Sequence, residues 1–149
     1  MNIGFISLGC SKNRVDTEIM MALLSSAGHK IVNSIERADA VIVNTCGFIE
    51  EAREEAINTI LETAELKAGG ILKFLVATGC LAQRYGKELF DEMPELDAVV
   101  GISYFAAIND ILTDLQKGNR ILRVGPPPMT FIEKGPRILS TPPGSAYLK

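Results

Sequence analysis

The chain has 149 residues, 47% of them apolar and 22% charged, which is enough for one ordinary domain with a sizeable core. A net charge of −3 argues against strong nucleic-acid binding by this domain, because a dedicated binder carries a cluster of cations to displace counterions from phosphates. The first apolar segment is short, lacks a basic leader and is interrupted by Gly9 and Lys12; it fits neither a signal peptide nor a membrane span, and we expect a cytoplasmic protein.

In chain order, apolar runs alternate with helix-like stretches. "NIGFISLG" (2–9) is short, apolar and bounded by glycine, as a strand buried on both faces should be. "VDTEIMMALLSSAG" then reads as a helix ending at Gly28, and "HKIVNS" (29–34) as a weaker strand. "AVIVN" (40–44) is a third strand, reached through "SIERAD", which is short for a parallel crossover; either it holds a single helical turn or one of the flanking strands is misplaced.

The next helix is the most regular. Ile49, Ala52, Ala56, Ile57, Ile60, Leu61 and Ala64 follow three-four spacing, the opposite face is acidic, and Gly69-Gly70 ends the pattern. "ILKFLVATG" (71–79) is a fourth strand, "AQRYGKELFDEM" a helix running into Pro94, "LDAVVG" (96–101) a fifth strand, and "YFAAINDILTDLQKG" a helix ending at Gly118. The expected fold is therefore α/β: an open, mostly parallel sheet of about five strands with flanking helices. From Gly125 six of the seven prolines crowd into a segment without periodicity, so we read 1–124 as a domain and 125–149 as a Pro-rich linker.

The three cysteines, Cys10, Cys46 and Cys80, each follow an apolar run and precede a helix, at separations of 36 and 34 residues. In a parallel sheet all strand C-termini share one edge, which is where open α/β sheets bind ligands. A thiol there also lies near a helix N-terminus, whose positive partial charge lowers thiol pKa and stabilises anionic sulfur. One cysteine at a strand end is ordinarily a small hydrophobe. Three at three such ends point instead to a metal or cluster site.

Other uses of the thiols fit less well. A phosphatase-type loop needs C-x-x-x-x-x-R, whereas Arg14, Arg53 and Arg84 follow their cysteines after three, six and three residues. A Cys-His pair needs His29, which ends a helix and so belongs to the opposite sheet edge. The same placement keeps His29 from completing a structural zinc site, which takes four protein ligands. An iron–sulfur cluster with three cysteine ligands and one iron open to an external ligand fits better. The GxxxxGK[ST] and GxGxxG phosphate motifs are absent.

"GCSKNRVDTE", "VNTCGFIEEA" and "TGCLAQRY" resemble the N-terminal domain of the methylthiotransferases, radical S-adenosylmethionine enzymes that insert sulfur and then a methyl group into an unactivated C–H bond. The resemblance covers the whole chain. "NTCGFI" and the "GC-x-KN-x-VD-x-E" form look like the branch that modifies the β-carbon of an aspartate in a small-subunit ribosomal protein, although that branch commonly has proline where Ser11 stands. The tRNA-modifying branch is the alternative within the family.

The resemblance implies that Cys10, Cys46 and Cys80 ligate an auxiliary [4Fe-4S] cluster with one open iron. It also implies a second [4Fe-4S] cluster, bound by C-x-x-x-C-x-x-C, that cleaves S-adenosylmethionine; these residues do not contain that motif, so we expect a fragment that is inactive alone, with 125–149 leading toward the radical domain.

Neighbouring residues have plainer readings. Asn13, Asp16 and Glu18 suit capping and the helix dipole, with a direct cluster contact as the alternative. Asn44 and Thr45 either donate to cluster sulfurs or close the turn after the strand. Gln83 and Arg84, one turn after Cys80, are candidates for partner or substrate contact, and the glutamates at 50, 51, 54 and 55 form a solvated face. The competing reading of the chain is a metal-free, flavodoxin-like binding module with its cysteines in the core.

Overall fold

The computed structural model describes residues 1–8, 11–45 and 50–124. Among them six strands form one sheet: β1 Asn2–Ser7, β2 Lys30–Ile31, β3 Ala40–Thr45, β4 Phe74–Gly79, β5 Ala98–Val100 and β6 Ile121–Arg123. The helices are α1 Ser11–Ser26, α2 Glu50–Ala68, α3 Cys80–Glu92 and α4 Ile108–Gln116. The strand order is β2-β1-β3-β4-β5-β6 and every neighbouring pair is parallel. The expected α/β class and parallel sheet are thus present, with one strand more than the sequence suggested. β6 is only three residues long, too short for periodicity to reveal, and is defined by its pairing with β5 from Ala98↔Ile121 onward. The proline-rich segment from Gly125 lies outside the described residues.

Alternation along the central strands divides the core. Ala40, Ile42 and Val76 point to the face covered by α1 and α4, where they meet Ile19, Met20, Leu24, Ile108 and Leu112. Val41, Val43, Leu75 and Ala77 point the other way, into Ala56, Ile60, Leu81 and Leu89 of α2 and α3. All six residues of β3 are buried, as a strand covered on both faces requires. In α2 the expected stripe holds at Ala56, Ile60 and Ala64, but Leu61 is 45% exposed while Thr63 is buried, its hydroxyl donating back to Thr59 O at 2.7 Å. That internal bond lets a hydroxyl occupy an apolar face.

The short link "SIERAD" contains a single 3₁₀ turn, Ile35–Arg37, as the first of the two alternatives required. β2 and β3 pair with opposite sides of β1, so the link passes over β1 and not beside a shared edge. Gly4 makes room for it: a Cβ there would lie 3.3 Å from Ala38 Cβ and 3.9 Å from Ile35 Cα. The reversal of strand order at β1 and β3 gives a flavodoxin-like arrangement extended by one strand, with its topological switch point between those two strands.

The opposite, N-terminal edge of the sheet is tied by side chains. Asp39 Oδ2 accepts from Asn2 N at 2.9 Å, and Asp97 Oδ2 accepts from Leu75 N at 2.9 Å and pairs with Lys67 Nζ at 2.7 Å. His29 lies on this edge too, its Nδ1 3.2 Å from the Met1 amine and its Nε2 3.0 Å from Asn109 Oδ1. Its expected separation from the cysteine-bearing edge therefore holds.

Candidate metal centre

The strands that end before the three cysteines are adjacent. β1, β3 and β4 occupy consecutive places in the sheet, and their registers align Ser7↔Asn44, Asn44↔Thr78 and Thr45↔Gly79. Thr45 and Gly79 are therefore side by side on the last rung of the β3–β4 ladder, and in the sequence Cys46 and Cys80 come next. Neighbouring strands lie about 4.8 Å apart, so the three strand ends occupy one short stretch of the edge. β1 and β3 also flank the switch point, where open sheets of this order receive ligands.

Cys80 is half-buried and is the first residue of α3. Cys10 and Cys46 lie outside the described residues; Cys10 directly precedes Ser11, the first residue of α1, and Cys46 precedes the start of α2 at Glu50. Among the described residues no three His, Cys, Asp or Glu side chains gather as metal ligands. What the described part contributes is the set of strand ends from which the cysteines depart.

The electrostatics of two helix starts suit anionic sulfur. Neither α1 nor α3 carries an acidic residue in its first turn, so no carboxylate competes there for the positive end of the dipole. α2 differs, opening with the exposed Glu50 and Glu51, and the expected solvated face of 50, 51, 54 and 55 is present. Asp16 and Glu18 depart from the capping role read from sequence. α1 begins at Ser11, earlier than the apolar pattern suggested, which moves both carboxylates into its second turn; they are buried at 4% and 1% exposure.

A close approach fixes Gly79. Its φ of +99° is open to glycine at no steric cost, and a Cβ there would overlap Asn44 Oδ1 and the backbone of Thr45. The strand end before Cys80 thus lies flat against the strand end before Cys46. Asn44 and Thr45 are 1% and 0% exposed and bond within the edge: Asn44 Nδ2 donates to Thr17 Oγ1 at 2.9 Å, and Thr45 Oγ1 donates to Thr78 O at 2.6 Å. Thr17 Oγ1 in turn donates to Ser7 Oγ at 3.3 Å. Sequence reasoning singled out neither Thr17 nor Gly79. The signal for Gly79 was present, since a glycine between a strand and a cysteine-led helix marks a close backbone approach.

One turn beyond Cys80 two arginines gather on a tyrosine, among the carboxylates of Glu50, Glu88 and Glu92. Arg53 and Arg84 lie over the Tyr85 ring at 4.7 and 5.6 Å from its centroid, and α3 kinks at Tyr85 with φ −122° and ψ 26°. A groove of about 280 Å³ opens there between α2 and α3, lined by Arg53, Ile57, Leu81, Tyr85 and Glu88. Arg84 is exposed, whereas Gln83 turns inward, its amide filling the space that a Cβ on Gly101 would need.

Residues 2–101 match the family described as "Uncharacterized protein family UPF0004". The whole chain is 63% identical to the ribosomal protein uS12 methylthiotransferase RimO of Syntrophomonas wolfei and 50% identical to the protein of that name from Clostridioides difficile, in each case over 34% of the relative's length. Over 148 residues it is 49% identical to the corresponding Thermoanaerobacter protein, again covering 34% of it. The chain therefore spans about a third of the length of the curated relatives it matches.

Proposed function

Because the chain belongs to the UPF0004 family, and because its cysteines follow adjacent strand ends on one sheet edge, we propose that it is the auxiliary-cluster domain of a methylthiotransferase acting on a small-subunit ribosomal protein. In this reading Cys10, Cys46 and Cys80 are the three protein ligands of a [4Fe-4S] cluster. The observation that carries it is the Thr45↔Gly79 rung, which starts two of the three cysteine-bearing segments side by side, with β1 as the next strand over.

The donor chemistry fits the group. Three thiolates form a soft ligand set of the kind iron–sulfur clusters take. The first turns of α1 and α3 are free of carboxylates, so their N–H groups would favour an anionic centre placed before them. Gly79 lets the strand end before Cys80 lie against Asn44 and Thr45, since any side chain there would overlap both. When bound, the cluster supplies an iron without a protein ligand, at which sulfur can be held for transfer to the substrate carbon.

The chain's own part is to hold and insulate. Asn44, Thr45 and Thr78, all buried, close the sheet beneath the edge and keep water from approaching the ligands from below. Residues 1–124 form the cluster domain and 125–149 the linker to the radical-generating domain, which binds S-adenosylmethionine and a second [4Fe-4S] cluster; on this division the present residues alone carry out no transfer. On this reading the substrate is uS12, the ribosomal protein in the relatives' name, modified at an aspartate as the family resemblance implies, and the location is cytoplasmic. Among the described residues no helix is long and apolar enough to cross a membrane.

The reading is tested in a cell whose uS12 methylthiolation depends on the protein containing this chain. Cys46→Ala should leave uS12 without the added methylthio mass while the protein still accumulates. Full modification by that variant would refute it, and loss of a tRNA modification in place of the uS12 mark would move the assignment to the tRNA branch.

A further inference from the structure

The residues joining the three cysteine-bearing segments suggest more than a closed turn. Asn44 lies in the middle strand of the three, two positions before Cys46. Its amide reaches both ways: Nδ2 donates to Thr17 Oγ1 on α1, the helix that follows Cys10, and Oδ1 occupies the space a Cβ on Gly79, the residue before Cys80, would need. Thr45 adds a second tie, its hydroxyl donating to Thr78 O on β4 at 2.6 Å. That hydroxyl is thus engaged across the β3–β4 pair. Thr17 completes the chain by donating to Ser7 near the end of β1.

We infer that Asn44 and Thr45 are positioning residues for the cysteine ligands: together with Thr17 they tie the ends of β1, β3 and β4 to one another, so that the strand ends from which Cys10, Cys46 and Cys80 depart are held at fixed spacing. The inference rests on the proposed cluster site and deepens it. Groups behind the ligands set affinity by holding the ligands in place, and losing one typically costs about ten- to a hundredfold in metal affinity. All three side chains are buried, at 1%, 0% and 3% exposure, and the Asn44–Thr17 and Thr45–Thr78 bonds are buried with them, whereas the Thr17–Ser7 bond ends on an exposed serine.

The test uses Asn44→Ala, Thr45→Val, Thr17→Val and the conservative Thr45→Ser, each checked by circular dichroism for native helix content. In the reconstituted chain, iron loss to a chelator should be about tenfold or more faster in the first three than in wild type, with an altered electron paramagnetic resonance spectrum, and Thr45→Ser should restore both. In the cluster-free chain, phenylarsine oxide bridges two thiols only when they are close. Bridging should be fast in wild type and in Thr45→Ser, and slow in the other three.

Wild-type rates of iron loss and of bridging in folded Asn44→Ala and Thr45→Val would overturn the inference. If Thr45→Val does not fold, an unrestored Thr45→Ser would overturn it equally. A wild-type chain that takes up no cluster, but whose bridging still depends on Asn44 and Thr45, would refute the cluster reading and leave the positioning role standing.

Discussion

Thr45 and Gly79 are partners on the last rung of the β3–β4 ladder, and a cysteine follows each of them in the sequence. That rung joins a backbone requirement to a chemical one. Gly79 adopts φ +99°, and its missing Cβ lets Asn44 and Thr45 lie against it. Gly79→Ala should therefore cost about 2 kcal/mol from the backbone alone, before any overlap with Asn44 is counted. Chemical denaturation measures the loss, and iron uptake should fall with it; an unchanged denaturation midpoint would mean that the two strand ends are not in close contact.

The Asp97 carboxylate acts at the other edge, where it accepts from the buried Leu75 N–H and pairs with Lys67. Asp97→Ala should destabilise by about 1–3 kcal/mol, because the Leu75 amide loses its acceptor. Asp97→Asn keeps an acceptor oxygen and should recover more than half of that loss. Since Asp97 is remote from the cysteine edge, iron content per folded chain should not change in either variant.

Arg120 holds the end of α3. Its guanidinium donates to Leu96 O at 2.9 Å, Met93 O at 3.0 Å and Phe90 O, and it stacks on the Phe90 ring at 3.8 Å. Lysine has the charge without the planar fork. Arg120→Lys should thus retain little of the contribution, with both Arg120→Lys and Arg120→Ala about 1–2 kcal/mol less stable in urea titration. Full recovery by lysine would show that charge alone, and not the shared geometry of the three carbonyls, is what matters.

Much of this was legible in the sequence because strand and helix periods are local properties. β3 and β4 announced themselves as apolar runs of the right length, and α2 by its three-four spacing and terminal glycines. The adjacency of the strand ends before the cysteines was legible for the same reason: a repeated strand-Cys-helix order brings those ends to one edge once the strands are parallel. β6 was not, since three residues carry no period and its register comes only from β5. Nor was the role of Thr17, whose place beside Ser7 and Asn44 depends on where α1 crosses the sheet. Asp16 and Glu18 were misread as capping residues because α1 starts at Ser11, ahead of its first apolar residue at Val15.

Cluster binding should also stabilise the fold, since a group bound by the native chain and not by the unfolded one adds to stability by mass action. The reconstituted chain should melt several degrees above the cluster-free chain, and exposure to oxygen should abolish the difference. Equal melting temperatures for the two forms would mean that the bound iron is not held at the folded sheet edge.

Iron content after anaerobic reconstitution tests the central claim most directly. Wild-type chain should bind about four irons with matching sulfide and turn brown, whereas Cys10→Ala, Cys46→Ala and Cys80→Ala should each lose most of it. Equally low iron in wild type and in all three variants would contradict the assignment of these cysteines as cluster ligands.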